Sequence, residues 1–319
     1  MSSGPRPPAP GRHLPWSRVP EEIHAWVADL GGGVPSRVDD LEGGFSPGAR
    51  ARLRFSGGAD LFVKAVGTEL NPESPVFHRR EAGVSAALPL SPSWPRLLHT
   101  YDDGDWVALA FEAVDGRTPT IPWRAAELQS VIHALERVHR DLTPCPVSGV
   151  PSAADRLSDM FNGWERLARA PSLPAGLGDW PRHQLERLVD LESRWVEASV
   201  GDTLLHCDIR SDNVLIRDGG GAVFVDWPHA AVGVPVLDMV CWAPSVVLEG
   251  GPEPDELLAS HALCCGADPE VVTTLAAAMA GFLVERSLQP PPPGLPTLRA
   301  FQSAQGEIAL SWLQRRTGW

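Results

Sequence analysis

The segment Leu204-Leu205-His206-Cys207-Asp208-Ile209-Arg210-Ser211-Asp212-Asn213-Val214-Leu215 constrains this chain more than any other. It sets the pattern H-x-D-x-x-x-x-N between two short apolar runs, so a polar loop must be held between two β segments. Such a loop presents a carboxylate and an amide at one edge of a cleft. After the turn 218–221, Ala222-Val223-Phe224-Val225-Asp226-Trp227 places a second carboxylate at the end of another strand.

The flanking chain divides in two. Residues 1–19 read as a flexible, Pro-rich leader. A helix over 21–30 puts Ile23, Trp26, Val27 and Leu30 on one face. Strands are expected over 40–45, 51–55 and 60–66, then a helix over 75–88 and strands near 96–100 and 106–111. Beyond a connector at 112–116 the chain is mostly helical. Leu128, Val131, Ile132, Leu135 and Val138 mark an amphipathic helix over 125–142. Further helices are expected over 153–169, 182–199, 235–248, 254–264, 269–288 and 297–316, with short strands at 204–206, 214–217 and 222–225. Pro290–Pro293 is a stiff connector. This order predicts an α+β chain of two lobes with a cleft between them: a lobe over 20–114, a hinge near 111–116, and a lobe over 115–319.

Charge narrows the partners. Asp and Glu number 40 against 27 Lys and Arg, a net charge of −13. Such a chain has no footprint for nucleic acid and is repelled by an anionic membrane, but it attracts a cationic small molecule. The longest apolar run, 275–284, falls short of the roughly 20 residues needed to span a bilayer. No secretory signal is visible. The five cysteines (Cys145, Cys207, Cys241, Cys264 and Cys265) form no C-x-x-C pair, which fits a reducing cytoplasm. Lys64 is the single lysine. A compact ammonium kept in a chain that otherwise uses Arg marks a place where a planar fork does not fit.

Asp208, Asn213 and Asp226 form the set phosphoryl transfer needs: one carboxylate to orient a hydroxyl and take its proton, and an amide and a carboxylate to hold Mg²⁺. On these motifs the chain resembles the aminoglycoside phosphotransferase family, within the protein-kinase-like superfamily. The resemblance covers roughly 38–245 by motif. It implies a bilobal protein-kinase-like fold, with a small antiparallel-sheet N-lobe and a helical C-lobe. It implies Asp208 as catalytic base, Asn213 and Asp226 as Mg²⁺ ligands, and Arg210 as a stabiliser of transferred charge. Lys64, in Leu61-Phe62-Val63-Lys64-Ala65, matches the strand lysine that contacts ATP phosphates. Glu81, in His78-Arg79-Arg80-Glu81-Ala82, matches its helix partner. Gly43-Gly44-Phe45-Ser46 stands where the phosphate-covering loop belongs, with Gly44 and Ser46 as candidate contacts. A plain hairpin turn would look the same. The backbone of Glu112 and Val114 would meet the adenine of ATP, with GTP as the alternative. Asp238, in Val236-Leu237-Asp238-Met239, would brace the catalytic loop.

Three departures bear on the site. Cys207 stands where many members have Gly, His229 follows Asp226-Trp227-Pro228 where a carboxylate is common, and no G-x-G-x-x-G precedes Lys64. Between 236 and 290, eight acidic residues face one basic residue, Arg286. They read either as a cleft for a polyamine antibiotic or as a solvated surface. The expected reaction is therefore ATP-dependent phosphorylation of a small, cationic hydroxyl compound such as an aminoglycoside. The alternatives are a kinase for a macrolide, choline, homoserine or a sugar-like metabolite, or a nucleotide-binding pseudokinase. A protein kinase is disfavoured, because 12 positions between Asp226 and Asp238 leave little room for a peptide-docking segment. The oligomeric state is not legible.

Overall fold

The computed structural model describes residues 13–41, 47–292 and 295–319. Five strands form one antiparallel sheet: β1 Arg37–Asp40, β2 Ala49–Arg54, β3 Leu61–Gly67, β4 Leu97–Asp102 and β5 Trp106–Glu112, in the order β1-β2-β3-β5-β4. Helix α1 (Glu21–Gly31) covers one face and α2 (Ser74–Ala87) lies against the other. Alternation along the strands sets the faces. Ala49, Ala51 and Leu53 of β2 are buried with Ile23 and Val27 of α1, so Arg50, Arg52 and Arg54 take the opposite face. Arg50 pairs with Lys64 across β2–β3, and Lys64 with Leu109 across β3–β5. Paired residues share a face, so Arg50, Phe62 and Lys64 stand on the cleft side.

Two expectations for this lobe are corrected. The first strand lies at Arg37–Asp40 and not over 40–45, of which residues 42–46 fall outside the described residues. It is an edge strand held by charge, with Asp39 accepting from Arg37 and Arg54, so no apolar alternation marks it. From His13 onward the expected leader packs on the sheet: Trp16 and Val19 are buried there, and the Trp16 N–H donates to Asp40 at 2.8 Å.

Helix α3 (Ala125–Asp141) buries the predicted stripe. The helix expected over 153–169 is two, α4 (Ala153–Leu157) and α5 (Gly163–Arg169). Gly163 lets the start of α5 approach another backbone, since a Cβ there would overlap the Gly281 carbonyl. Glu192 accepts from the N–H groups of Trp164 and Glu165 at 3.1 and 2.9 Å, satisfying a helix that must begin at this point. The stretch 182–199 likewise falls into α6 (Asp179–His183), α7 (Leu185–Ser193) and α8 (Trp195–Ala198).

Two small ladders follow. β6 (Thr203–Leu205) pairs with β9 (Ala231–Gly233), and β7 (Val214–Ile216) pairs with β8 (Ala222–Phe224). The chain ends in α9 (Val236–Leu248), α10 (Pro254–Ala259), α11 (Pro269–Ser287) and α12 (Leu298–Thr317). Helix α11 is buried nearly all round by α5, α7, α9 and α12, which accounts for its apolar run. Among the described residues no helix is long and apolar enough to cross a membrane. The architecture is the expected α+β one, a sheet-based lobe joined to a helical lobe.

Candidate active site

The loop between β6 and β7 is fixed from below by Asp238, at the start of α9. This buried carboxylate accepts the N–H groups of His206 at 3.0 Å and Cys207 at 2.7 Å, and the Nε2–H of His139 at 3.0 Å. Burial opposes its charge, but these partners hold its carboxyl below the usual range. Cys207 has φ 59°, the left-handed region that glycine adopts freely. That gives a physical reason for glycine at this position, and here the two bonds to Asp238 hold a cysteine in its place. His206 donates from Nε2 to the Val225 carbonyl at 3.0 Å, and its Nδ1 accepts the Asp208 N–H at 3.3 Å. Its ring also packs on Trp227 with centroids 4.7 Å apart, so it ties the loop to the strand that delivers Asp226.

Asp208 is held on two sides. Asn213 Nδ2 donates to the Asp208 carbonyl at 2.8 Å and to its carboxylate at 3.0 Å. Arg210 donates to both Asp208 oxygens at 3.1 and 3.3 Å, while its Nε and other amine grip Asp212 at 2.9 Å each. Burial works against the guanidinium, yet Asp208 and Asp212 outweigh it and raise its pKa. Asp212 is the second carboxylate of this clamp.

Lys64 reaches across the cleft. Its Nζ lies 2.7 Å from Glu81 Oε2 on α2 and 3.0 Å from Asp226 Oδ1 in the other lobe. Burial pushes the Glu81 carboxyl up to about 7. Burial also acts against the Asp226 carboxylate, but Lys64 and Arg50 hold it far below the usual range. The ammonium itself is held above its ordinary value by Asp226 and Glu81 despite its burial. His78, buried one turn before Glu81, is pushed down to about 3 by burial and by Lys64, so it adds no charge.

Lys64, Glu81, Asn213 and Asp226 line a cavity of about 310 Å³ between the lobes. Phe62 and Leu215 form apolar walls, and Glu112 and Val114 line its hinge side. The Val114 N–H makes no backbone hydrogen bond among the described residues, which leaves a donor at the hinge. Gly44 and Ser46 lie outside the described residues. Asn213 Oδ1 and the Asp226 carboxylate are hard oxygen donors of the kind Mg²⁺ takes, so the donor set fits that ion. Arg50 also lines the cavity, opposite Lys64. Sequence reasoning missed it, although the alternation A-R-A-R-L-R beside the lysine strand carried the signal.

The acidic stretch does not form an open cleft. Asp238, Glu249 and Glu285 are buried. Glu253, Asp255 and Glu270 pair with Arg315, Arg316 and Arg194, and Asp268 caps α11. Seven of the eight acidic residues are thus buried, paired or capping, and Glu256 is exposed; among the described residues the stretch is closer to the solvated-surface reading than to a cleft.

Among curated proteins, none matches the chain by sequence. Among the solved structures that share its fold are three small-molecule kinases. Spectinomycin phosphotransferase, solved with ADP and spectinomycin, is 11% identical, with 93% of this chain and 99% of that one covered and a TM-score of 0.62. An aminoglycoside phosphotransferase solved with ADP and hygromycin B is 15% identical, with 91% and 98% covered and a TM-score of 0.58. A choline kinase from Streptococcus pneumoniae is 13% identical, with 93% and 97% covered and a TM-score of 0.59. The fold is thus the expected protein-kinase-like one. A family model described as the phosphotransferase enzyme family matches residues 43–275, most of the length and all of the catalytic loop. The chain belongs to the phosphotransferase enzyme family, a family of small-molecule kinases.

Proposed function

We propose that the chain transfers the γ-phosphate of ATP to a hydroxyl of a small molecule. The observation that carries this reading is the meeting of Lys64, Glu81, Asp226 and Asn213 around one interlobe cavity, with Asn213 bound to the Asp208 carboxylate at 3.0 Å. Phosphoryl transfer asks for positioning and for charge stabilisation more than for covalent chemistry. Lys64, held by Glu81, contacts the phosphates. Asp208 receives the acceptor hydroxyl and takes its proton as the bond to phosphorus forms. Asn213 fixes the Asp208 rotamer and, with Asp226, offers oxygen to Mg²⁺. When bound, that ion neutralises the charge on the phosphate oxygens. Arg210 orients Asp208 through its two contacts and leaves positive charge beside the transfer. The backbone at Glu112 and Val114 receives the base of ATP, with GTP as the alternative, and Gly44 and Ser46 cover the phosphates.

In this reading the lobe of residues 20–114 holds the nucleotide at a hinge near 111–116, and the lobe of 115–319 holds the acceptor. ATP as donor puts the reaction in the cytoplasm, in keeping with five free thiols. The related folds act on acceptors as different as aminoglycosides and choline, and the acidic stretch no longer favours a polycation. Isothermal titration with Mg²⁺ and a non-hydrolysable ATP analogue tests the nucleotide half directly. Saturable, Mg²⁺-dependent binding that Asp226→Ala abolishes is expected, and binding indifferent to both Mg²⁺ and that substitution would contradict it.

A further inference from the structure

Two guanidinium groups beside His229, those of Arg80 and Arg156, have no carboxylate partner among the described residues. Arg156, on α4, donates from Nε to the Ala230 carbonyl at 3.3 Å. The neighbouring His229 packs its ring on Phe77 of α2 with centroids 5.1 Å apart. The Arg80 guanidinium lies over that same Phe77 ring, 5.6 Å from its centroid. Arg156, His229, Phe77 and Arg80 therefore form one continuous surface that crosses from the helical lobe to α2. It adjoins the transfer site: Arg156 lies within electrostatic reach of Cys207, the residue before Asp208, and His229 within reach of Asp208 and Asp226.

The charge balance of this surface is unusual for an acidic chain. Neither Arg80 nor Arg156 pairs with a carboxylate among the described residues. Arg79, one position before Arg80, is instead bound to Asp102 at 2.7 Å. Burial, and then the like charge of Arg80, weakens the hold of Arg156 on its proton, and no carboxylate offsets either effect. Burial keeps His229 neutral, so it offers hydrogen bonding without charge. Asp208, which acts on His229 electrostatically, is already bound to Arg210. Two guanidinium groups without a carboxylate partner among the described residues, reaching His229 from α4 and α2, suit an oxyanion.

We propose that the acceptor is a hydroxyl compound bearing an anionic group, a carboxylate, phosphate or sulfate, which Arg80 and Arg156 bind beside His229 while its hydroxyl meets Asp208. This deepens, and rests on, the phosphotransfer reading. It also reverses the charge that composition suggested, because the net charge acts at a distance while these two side chains act at contact.

Sulfate serves as the probe. The full-length protein is first saturated with the Mg²⁺ complex of a non-hydrolysable ATP analogue, so that the phosphate-binding groups are occupied. Sulfate is then titrated calorimetrically at constant ionic strength. One saturable sulfate site is expected, weakened at least about tenfold in Arg156→Gln and likewise in Arg80→Gln, whose exposed side chain can change without disturbing the fold. Affinity for the ATP analogue is the folding control for both variants. Normal analogue binding with no sulfate site, or with a site indifferent to both substitutions, overturns the anionic acceptor and leaves phosphotransfer standing. Failure of the wild type to bind the analogue overturns both.

Discussion

Lys64 Nζ of the sheet stands 3.0 Å from Asp226 Oδ1 of the helical lobe, so one ion pair, buried on its lysine side, spans the cleft. Glu81 completes the cluster at 2.7 Å, with side-chain exposures of 9% for Lys64 and 2% for Glu81, which leave little water to screen it. The single lysine therefore both joins the lobes and faces the cavity that would receive phosphate.

Lys64→Met leaves Glu81 and Asp226 without their counter-charge. Removing one partner of a buried pair costs roughly 3–5 kcal/mol. We expect chemical denaturation to report a loss of about 3 kcal/mol, and calorimetry a fall in Mg·ATP affinity of at least about tenfold. Adding Glu81→Met should restore part of the stability and none of the affinity. Recovery of both together would contradict a nucleotide role for Lys64.

Cys207 gives a local test of the loop. Its left-handed backbone costs on the order of 1–3 kcal/mol for a residue with a side chain. Cys207→Gly relieves that strain, while losing a small buried side chain and adding roughly 0.5–1 kcal/mol of unfolded-state freedom. Stability within about 1 kcal/mol of wild type is expected. Cys207→Val, β-branched at the same φ, should lose at least about 2 kcal/mol by urea denaturation. Equal effects of the two substitutions would mean that φ is not what limits this position.

Glu249 ties the end of α9 to the catalytic loop, accepting from Ser211 Oγ at 2.5 Å and Trp123 Nε1 at 3.0 Å. Burial pushes its carboxyl up to about 7, from an ordinary 4.5. The folded state thus holds this proton more tightly than the unfolded chain. Its stabilising effect is complete below about pH 4.5 and is lost as pH rises through about 7. The loss is on the order of 2–3 kcal/mol over that window. Glu249→Gln removes the titration, so the variant should lose less stability than wild type between pH 5 and 7.5. Parallel stability curves would show that Glu249 stays ionised in the fold.

The sequence revealed what local pattern encodes. A strand over 51–55 was legible between turns, and the H-x-D-x-x-x-x-N spacing announced a loop that Asp238 then holds rigid. Features made by distant contacts were hidden. The break before Gly163 exists because its backbone meets Gly281, and β9 exists because Ala231–Gly233 pairs with β6. The acidic stretch stayed open between a polycation cleft and a solvated surface because its partners, Arg194, Arg315 and Arg316, lie far along the chain. Arg80 and Arg156 likewise come together only in the folded molecule.

The most direct measurement is mass spectrometry of phosphate transfer. Purified protein, Mg²⁺ and ATP are offered a pooled panel of anionic, neutral and cationic hydroxyl compounds, with Asp208→Ala run in parallel. We expect one compound to gain a phosphate with wild type, and the rate to fall by roughly 10²–10⁴ in the variant, the range for a lost general base. Equal product from both proteins would contradict Asp208 as the group that receives the hydroxyl.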